Sequence, residues 1–166
     1  MALQLFKIAT VNLTSAQSSI DFTSIPSGYT DLKLTGSLMN PTGANVYIRL
    51  NSTTTGYSER FVYGTGSSAS SGTNTLTGFA PQFSGDSGNY TANTFGNGEL
   101  YIANYNSSNY KSVSLDNVVE NNGTTGWQML FAGLWSNTAA ITSITLTPYA
   151  GGNFAAGSTA TLYGVL

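Results

Sequence analysis

Along much of the chain, apolar and polar side chains alternate with a period of two. Leu32, Leu34, Gly36 and Leu38 fall on one side of an extended segment, and Asp31, Lys33, Thr35 and Ser37 on the other. That is the pattern of a strand with one buried face. Val46, Ile48 and Leu50 oppose Tyr47 and Arg49 in the same way. Further strands are predicted within residues 3–13, 18–22, 59–63, 99–105, 111–118, 126–135, 141–148 and 159–166. Turn chemistry separates them: Pro26 presets φ and Gly28 supplies the left-handed position in "IPSGYT", and "NPTG" at 40–43 does the same work. No stretch carries a helical period. Roughly eight to ten strands joined by short turns predict an all-β fold in one domain, 1–166: a two-sheet antiparallel β-sandwich, jelly-roll-like.

Three segments depart from simple alternation. Residues 64–98 form a Gly/Ser/Thr/Asn-rich excursion around a small apolar island at 76–83, too long for an ordinary connection and read as a surface feature with one or two short strands. In "WQMLFAGLW", Trp127, Met129, Phe131, Gly133 and Trp135 form one face, and Leu130, Ala132 and Leu134 the other. Apolar residues on both faces mean that both are covered, one by the core and one by either the excursion or a second subunit. Trp127, Met129, Phe131 and Trp135 are therefore candidates for a subunit interface. The closing run "NFAAGSTATLYGVL" predicts an interior last strand, with Leu162 and Leu166 in the core.

Composition narrows the function classes. Charged residues make up 7% of the chain and the net charge is −2, against about 25% charged residues in typical globular domains. Lys7, Lys33, Arg49, Arg60 and Lys111 are scattered, so a phosphate-neutralising face is not expected, and neither is nucleic acid as a partner. There is no Cys and no His, which removes disulfides, Ser-His-Asp triads, Cys-His pairs and His-based metal sites. No segment approaches the roughly 20 apolar residues of a membrane helix, and the first residues lack the charged start and long apolar run of a signal peptide. The Asn-X-Ser/Thr triplets at Asn12, Asn51, Asn89, Asn106 and Asn122 then reflect composition rather than glycosylation.

Acid chemistry is sparse. Of Asp21, Asp31, Glu59, Asp86, Glu99, Asp116 and Glu120, the pair Asp116 and Glu120 lies closest in sequence. Isolated surface acids are ordinarily solvated or paired, so no catalytic pair is assigned. "GDSGN" at 85–89 offers one carboxylate without the bidentate glutamate of a calcium loop. No cofactor or metal is expected. The tyrosines suggest a separate possibility: Tyr90, Tyr101, Tyr105 and Tyr110 stand near Asn104, Asn106 and Asn109. Aromatic faces beside amides are how sugar rings are held, so Tyr101, Tyr105, Asn106 and Tyr110 are candidate glycan contacts. The alternative is that tyrosines simply suit a half-buried pleat.

Three stretches carry a family resemblance: "IDFTSIPSGYTDLKLTGSL" (20–38), "SVSLDNVVENNGTTGWQ" (112–128) and "LWSNTAAITSITLTPYAGGNFAAGSTATLYGVL" (134–166). Together they resemble small virion structural proteins of tailed bacteriophages, of the kind frequent in marine and cyanobacterial phages, and "FAAGSTATLYGV" is the most specific mark. The resemblance covers about half the chain and leaves 64–98 unmatched. It implies a non-enzymatic particle component made in the host cytoplasm and located in the virion: a capsid decoration protein, a head appendage or a tail-associated adhesin. The partners it implies are the major capsid protein or other virion proteins, further copies of the chain (a trimer suits a threefold shell position) and, for the adhesin, a host-surface glycan. The family has no catalytic residues to carry over.

Overall fold

The structure, a computed structural model, describes residues 4–84, 93–120 and 126–166. Among these are eleven strands: β1 (Leu5–Asn12), β2 (Ile20–Phe22), β3 (Asp31–Leu38), β4 (Val46–Leu50), β5 (Tyr57–Gly64), β6 (Ala69–Asn74), β7 (Gly96–Ile102), β8 (Lys111–Glu120), β9 (Gly126–Trp135), β10 (Ile144–Pro148) and β11 (Thr159–Val165). They form a two-sheet antiparallel β-sandwich. The division is uneven: one sheet runs β1-β11-β3-β7-β8-β9-β5-β6 and the other β2-β10-β4. Each strand of the small sheet is entered from the large sheet and returns to it, so the small sheet lies across the large one as a lid. Alternation delivers the core. Leu32, Leu34 and Leu38 from β3, Leu100 and Ile102 from β7, and Ile48, Leu50, Ile144 and Leu146 from the small sheet are all buried in one continuous cluster.

Three narrow strands cannot cover eight, and the excursion supplies the rest. Its first part is a regular hairpin, β5–β6, closed by Thr65 N–H to Ser68 C=O at 2.9 Å. Its second part, 75–84, runs beside β4 as an irregular fourth strand of the small sheet: Ile48 and Phe79 exchange backbone bonds at 2.8 and 3.1 Å, and Val46 N–H donates to Pro81 C=O at 3.0 Å. From this segment Phe79 and Phe83 enter the core, both fully buried. Strand glycines make room for them. A Cβ at Gly133 would lie 2.5 Å from the Phe79 ring, and one at Gly98 would lie 2.6 Å from Phe83. Glycine weakens a strand, and its place in one often marks close approach of another group; here that group is a phenyl ring.

The last strand is interior, between β1 and β3, and Leu162 is fully buried. Leu166 is not: it is 55% exposed, and Val165 is buried instead. The alternation breaks because the Tyr29 ring occupies the core side of Gly164, 2.2 Å from where a Cβ would stand, and Val165 closes the ladder opposite Asp31.

Candidate interaction surface

Strand register sorts the outer face of the large sheet into rows of directly opposed residues. One row runs Ser71, Val62, Leu130, Asp116, Glu99, Thr35, Thr161 and Thr10. The next runs Thr73, Arg60, Ala132, Ser114, Tyr101, Lys33, Tyr163 and Lys7. Both rows change character halfway. On β7, β3, β11 and β1 three polar pairs are closed within the chain. Lys33 pairs with Glu99 at 2.6 Å, Thr10 and Thr161 share a hydroxyl bond at 3.0 Å, and the Tyr101 hydroxyl donates to Asp31. That bond to a carboxylate pushes the Tyr101 pKa up to about 12.

On β5, β9 and the adjoining part of β8 the same face is apolar and open. Leu130 is 60% exposed, Val62 52%, Val118 46% and Leu134 39%. Arg60, Val62, Ser71, Thr73, Leu130 and Ala132 line a shallow hollow there. Scattered apolar residues on a surface need no explanation, but a contiguous group on one face marks a contact site. From Phe61 to Ser84 the sequence carries no charged side chain; Arg60 and Asp116 are the charged neighbours of the apolar group within the two rows.

The interface residues expected from the sequence lie on the opposite face. Met129, Phe131 and Trp135 are buried in the chain's own core. Trp135 Nε1–H donates to Thr53 Oγ1 at 3.1 Å, and Phe131 meets Phe79 edge-on with ring centroids 5.8 Å apart. Trp127 is half-buried and stacked on Tyr63 at 4.1 Å. The small sheet and the 75–84 segment cover this aromatic face, so the excursion caps the inner side and Leu130 and Leu134 remain uncovered on the outer.

The expected glycan contacts do not converge on an open site. Tyr105 is buried, its hydroxyl donating to Pro26 C=O, and burial pushes its pKa up. Tyr101 is half-buried and committed to Asp31. Asn106 Nδ2 donates to Ser27 C=O at 3.1 Å, while Tyr110 is 59% exposed. These groups tie the 104–110 loop to the 26–31 turn. Tyr90, Asp86 and the 85–89 stretch lie outside the described residues.

Two ionisable groups have roles that sequence reasoning missed. Glu59 is buried; its carboxylate accepts from Asn74 Nδ2 at 2.7 Å and from Ala80 N–H at 3.0 Å, joining β6 and the 75–84 segment to β5. Lys111 is fully buried and donates to Ser107 and Asn109 C=O at 2.6 and 2.7 Å; desolvation lowers its pKa. Parity was the available signal, since both occupy core-facing positions of their strands. Asp116 and Glu120 both point outward from β8, roughly 13 Å apart along the strand at about 3.3 Å per residue. Among the described residues no group of three His, Cys, Asp or Glu could hold a metal ion. Compared with protein-family models and with curated proteins, the sequence matches none.

Proposed function

We propose that this chain is a non-enzymatic structural protein of a bacteriophage virion that decorates the capsid, bound to the major capsid protein or a neighbouring virion protein through the apolar end of its large sheet. The observation that carries the reading is the open group Val62, Val118, Leu130 and Leu134 gathered at one end of the outer face. The resemblance of the 20–38, 112–128 and 134–166 stretches supplies the setting. Repetition on a symmetric shell makes many weak contacts sufficient, because avidity multiplies them. The test is to purify the particles, identify their proteins by mass spectrometry and locate this chain in a density map. The reading requires many copies on the shell with Leu130 turned toward it; absence from the virion sinks it.

A second reading, a tail-fibre-associated adhesin for host-surface carbohydrate, is favoured by a different patch from the one the sequence suggested. On the outer face of the small sheet, Tyr47 and Tyr149 lie 4.7 Å apart and Arg49 sits 4.2 Å over the Tyr47 ring. Tyr149 is 46% exposed, beside Thr147 on the same strand end. A sugar ring would stack on Tyr149, so Tyr149→Ala should abolish retention on host polysaccharide. Equal retention of parent and variant, or none by either, counts against it.

A further inference from the structure

The sandwich has four sheet edges, and three are closed to further pairing. β1 carries Lys7 and a bulge between Lys7 and Ala9; charges and bulges are how proteins blunt exposed edges. β2 is only three residues long. The free side of β4 is occupied by the 75–84 segment through the Ile48–Phe79 and Val46–Pro81 bonds. β6, with sequence ASSGTN, has none of these devices: no charge, no proline, no bulge and, among the described residues, no neighbour beyond β5.

The phase of its free backbone groups follows from the ladder. Ser136 N–H donates to Gly56 C=O on the β9 side at 2.8 Å, and Thr65 N–H donates to Ser68 on the β6 side at 2.9 Å. Even residues of β5 therefore bond toward β9 and odd ones toward β6. With Val62 opposite Ser71 and Phe61 opposite Gly72, the N–H and C=O groups of Ala69, Ser71 and Thr73 point away from the sheet.

We infer that β6 pairs antiparallel with β6 of a second copy of this chain, across a two-fold axis at Ser71. A two-fold contact presents the same patch twice, and an antiparallel edge meets that condition without any other surface. Centring on Ser71 sets Ser71 against its counterpart and Ala69 against Thr73 of the second copy, all three in hydrogen-bonding phase. The absence of charge between Phe61 and Ser84 removes repulsion between the copies. The pairing also has a geometric consequence. The row Leu130, Val62, Ser71 continues into Ser71, Val62, Leu130 of the second copy, on the same side of one continuous sheet. Two open apolar groups become one wider face. The threefold contact suggested by a shell position is a different arrangement, and the inference does not rest on the particle role.

The experiment is sedimentation of the full chain over a range of concentrations, with three variants. The parent is expected to form a concentration-dependent dimer. Ser71→Pro removes an N–H that bonds nothing among the described residues, and Ser71→Lys sets like charges opposite each other. Each should weaken association at least tenfold while melting like the parent; if the proline variant fails to fold, the lysine variant decides. Thr10→Lys, on the outer face at the β1 edge, should leave the dimer intact. A parent that stays monomeric or forms trimers overturns the inference, as does a dimer that survives Ser71→Lys or is broken by Thr10→Lys.

Discussion

The two ends of the outer face of the large sheet share one backbone geometry and differ in what their side chains do. Toward β1, three polar pairs are closed within the chain: Lys33 with Glu99, Thr10 with Thr161, Tyr101 with Asp31; Leu5 and Phe6 of β1 are exposed there as well. Toward β6, Leu130, Val62 and Leu134 have water instead. Exposed pairs of the first kind contribute little each, about 0–1 kcal/mol, but their polar groups are already satisfied within the chain. Each apolar group of the second kind leaves about 25 cal/mol per Å² unrealised until something covers it. On the proposed reading, the end that is finished within the chain is its scaffold and the unfinished end is the contact surface.

Removing part of the finished end should have the largest effect. A stop after Thr161 deletes Leu162 and Val165, both buried, together with ladder bonds to β1 and β3. Buried side chains of this size contribute about 1.5–3 kcal/mol each, against roughly 5–15 kcal/mol for a whole domain. The truncated protein should show no cooperative melt; a melt near the parent's would make this end peripheral. Next in size is Phe79→Ala, which empties the inner side of the unfinished end over Gly133. Its expected cost is about 3–5 kcal/mol in urea titration. A cost below about 1 kcal/mol would mean that 75–84 is not part of the core.

A smaller effect distinguishes the ends by pH. The Tyr101 pKa is raised from 10.0 to about 12, so its protonated form is favoured by folding. That stabilisation is complete below pH 10 and is lost as pH rises through 12. Tyr101→Phe should cost about 1 kcal/mol at neutral pH, the low end for a bond to a half-exposed carboxylate. It should also flatten the loss of stability between pH 10 and 12. An unchanged alkaline slope would show that Asp31 does not hold this hydroxyl.

Much of the sandwich was legible because alternation in β3, β4 and β11 as far as Gly164 reports burial directly. The β9 strand shows the limit of that signal. Period-two alternation identifies two faces, but it does not say which one meets the core, and in "WQMLFAGLW" both are apolar. The choice was made by Phe79, which packs on Phe131 of this strand from a distant part of the sequence. The sequence predicts one or two short strands in the excursion but does not place β6 within it: Ala, Ser, Gly and Thr give no hydrophobic contrast, so its strand character comes from pairing with β5. Tyr105 and Tyr110 look alike in sequence, and only the 26–31 turn packed over one of them makes the first core and the second surface. Gly98 and Gly133 carry no signal of their own in the sequence; the rings of Phe83 and Phe79 that they accommodate give them their role.

The central claim is that the unfinished end is a contact surface and not a fault in the core. Leu130→Glu tests it most directly, measured as the fraction of added protein that sediments with particles lacking the chain. At 60% exposure the substitution should change folding stability by no more than about 0.5 kcal/mol, so that binding is read on an intact fold. Sedimentation with the particles should then fall to the background of an unrelated protein. A Leu130→Glu variant that melts like the parent and attaches to particles as well as the parent would contradict the account.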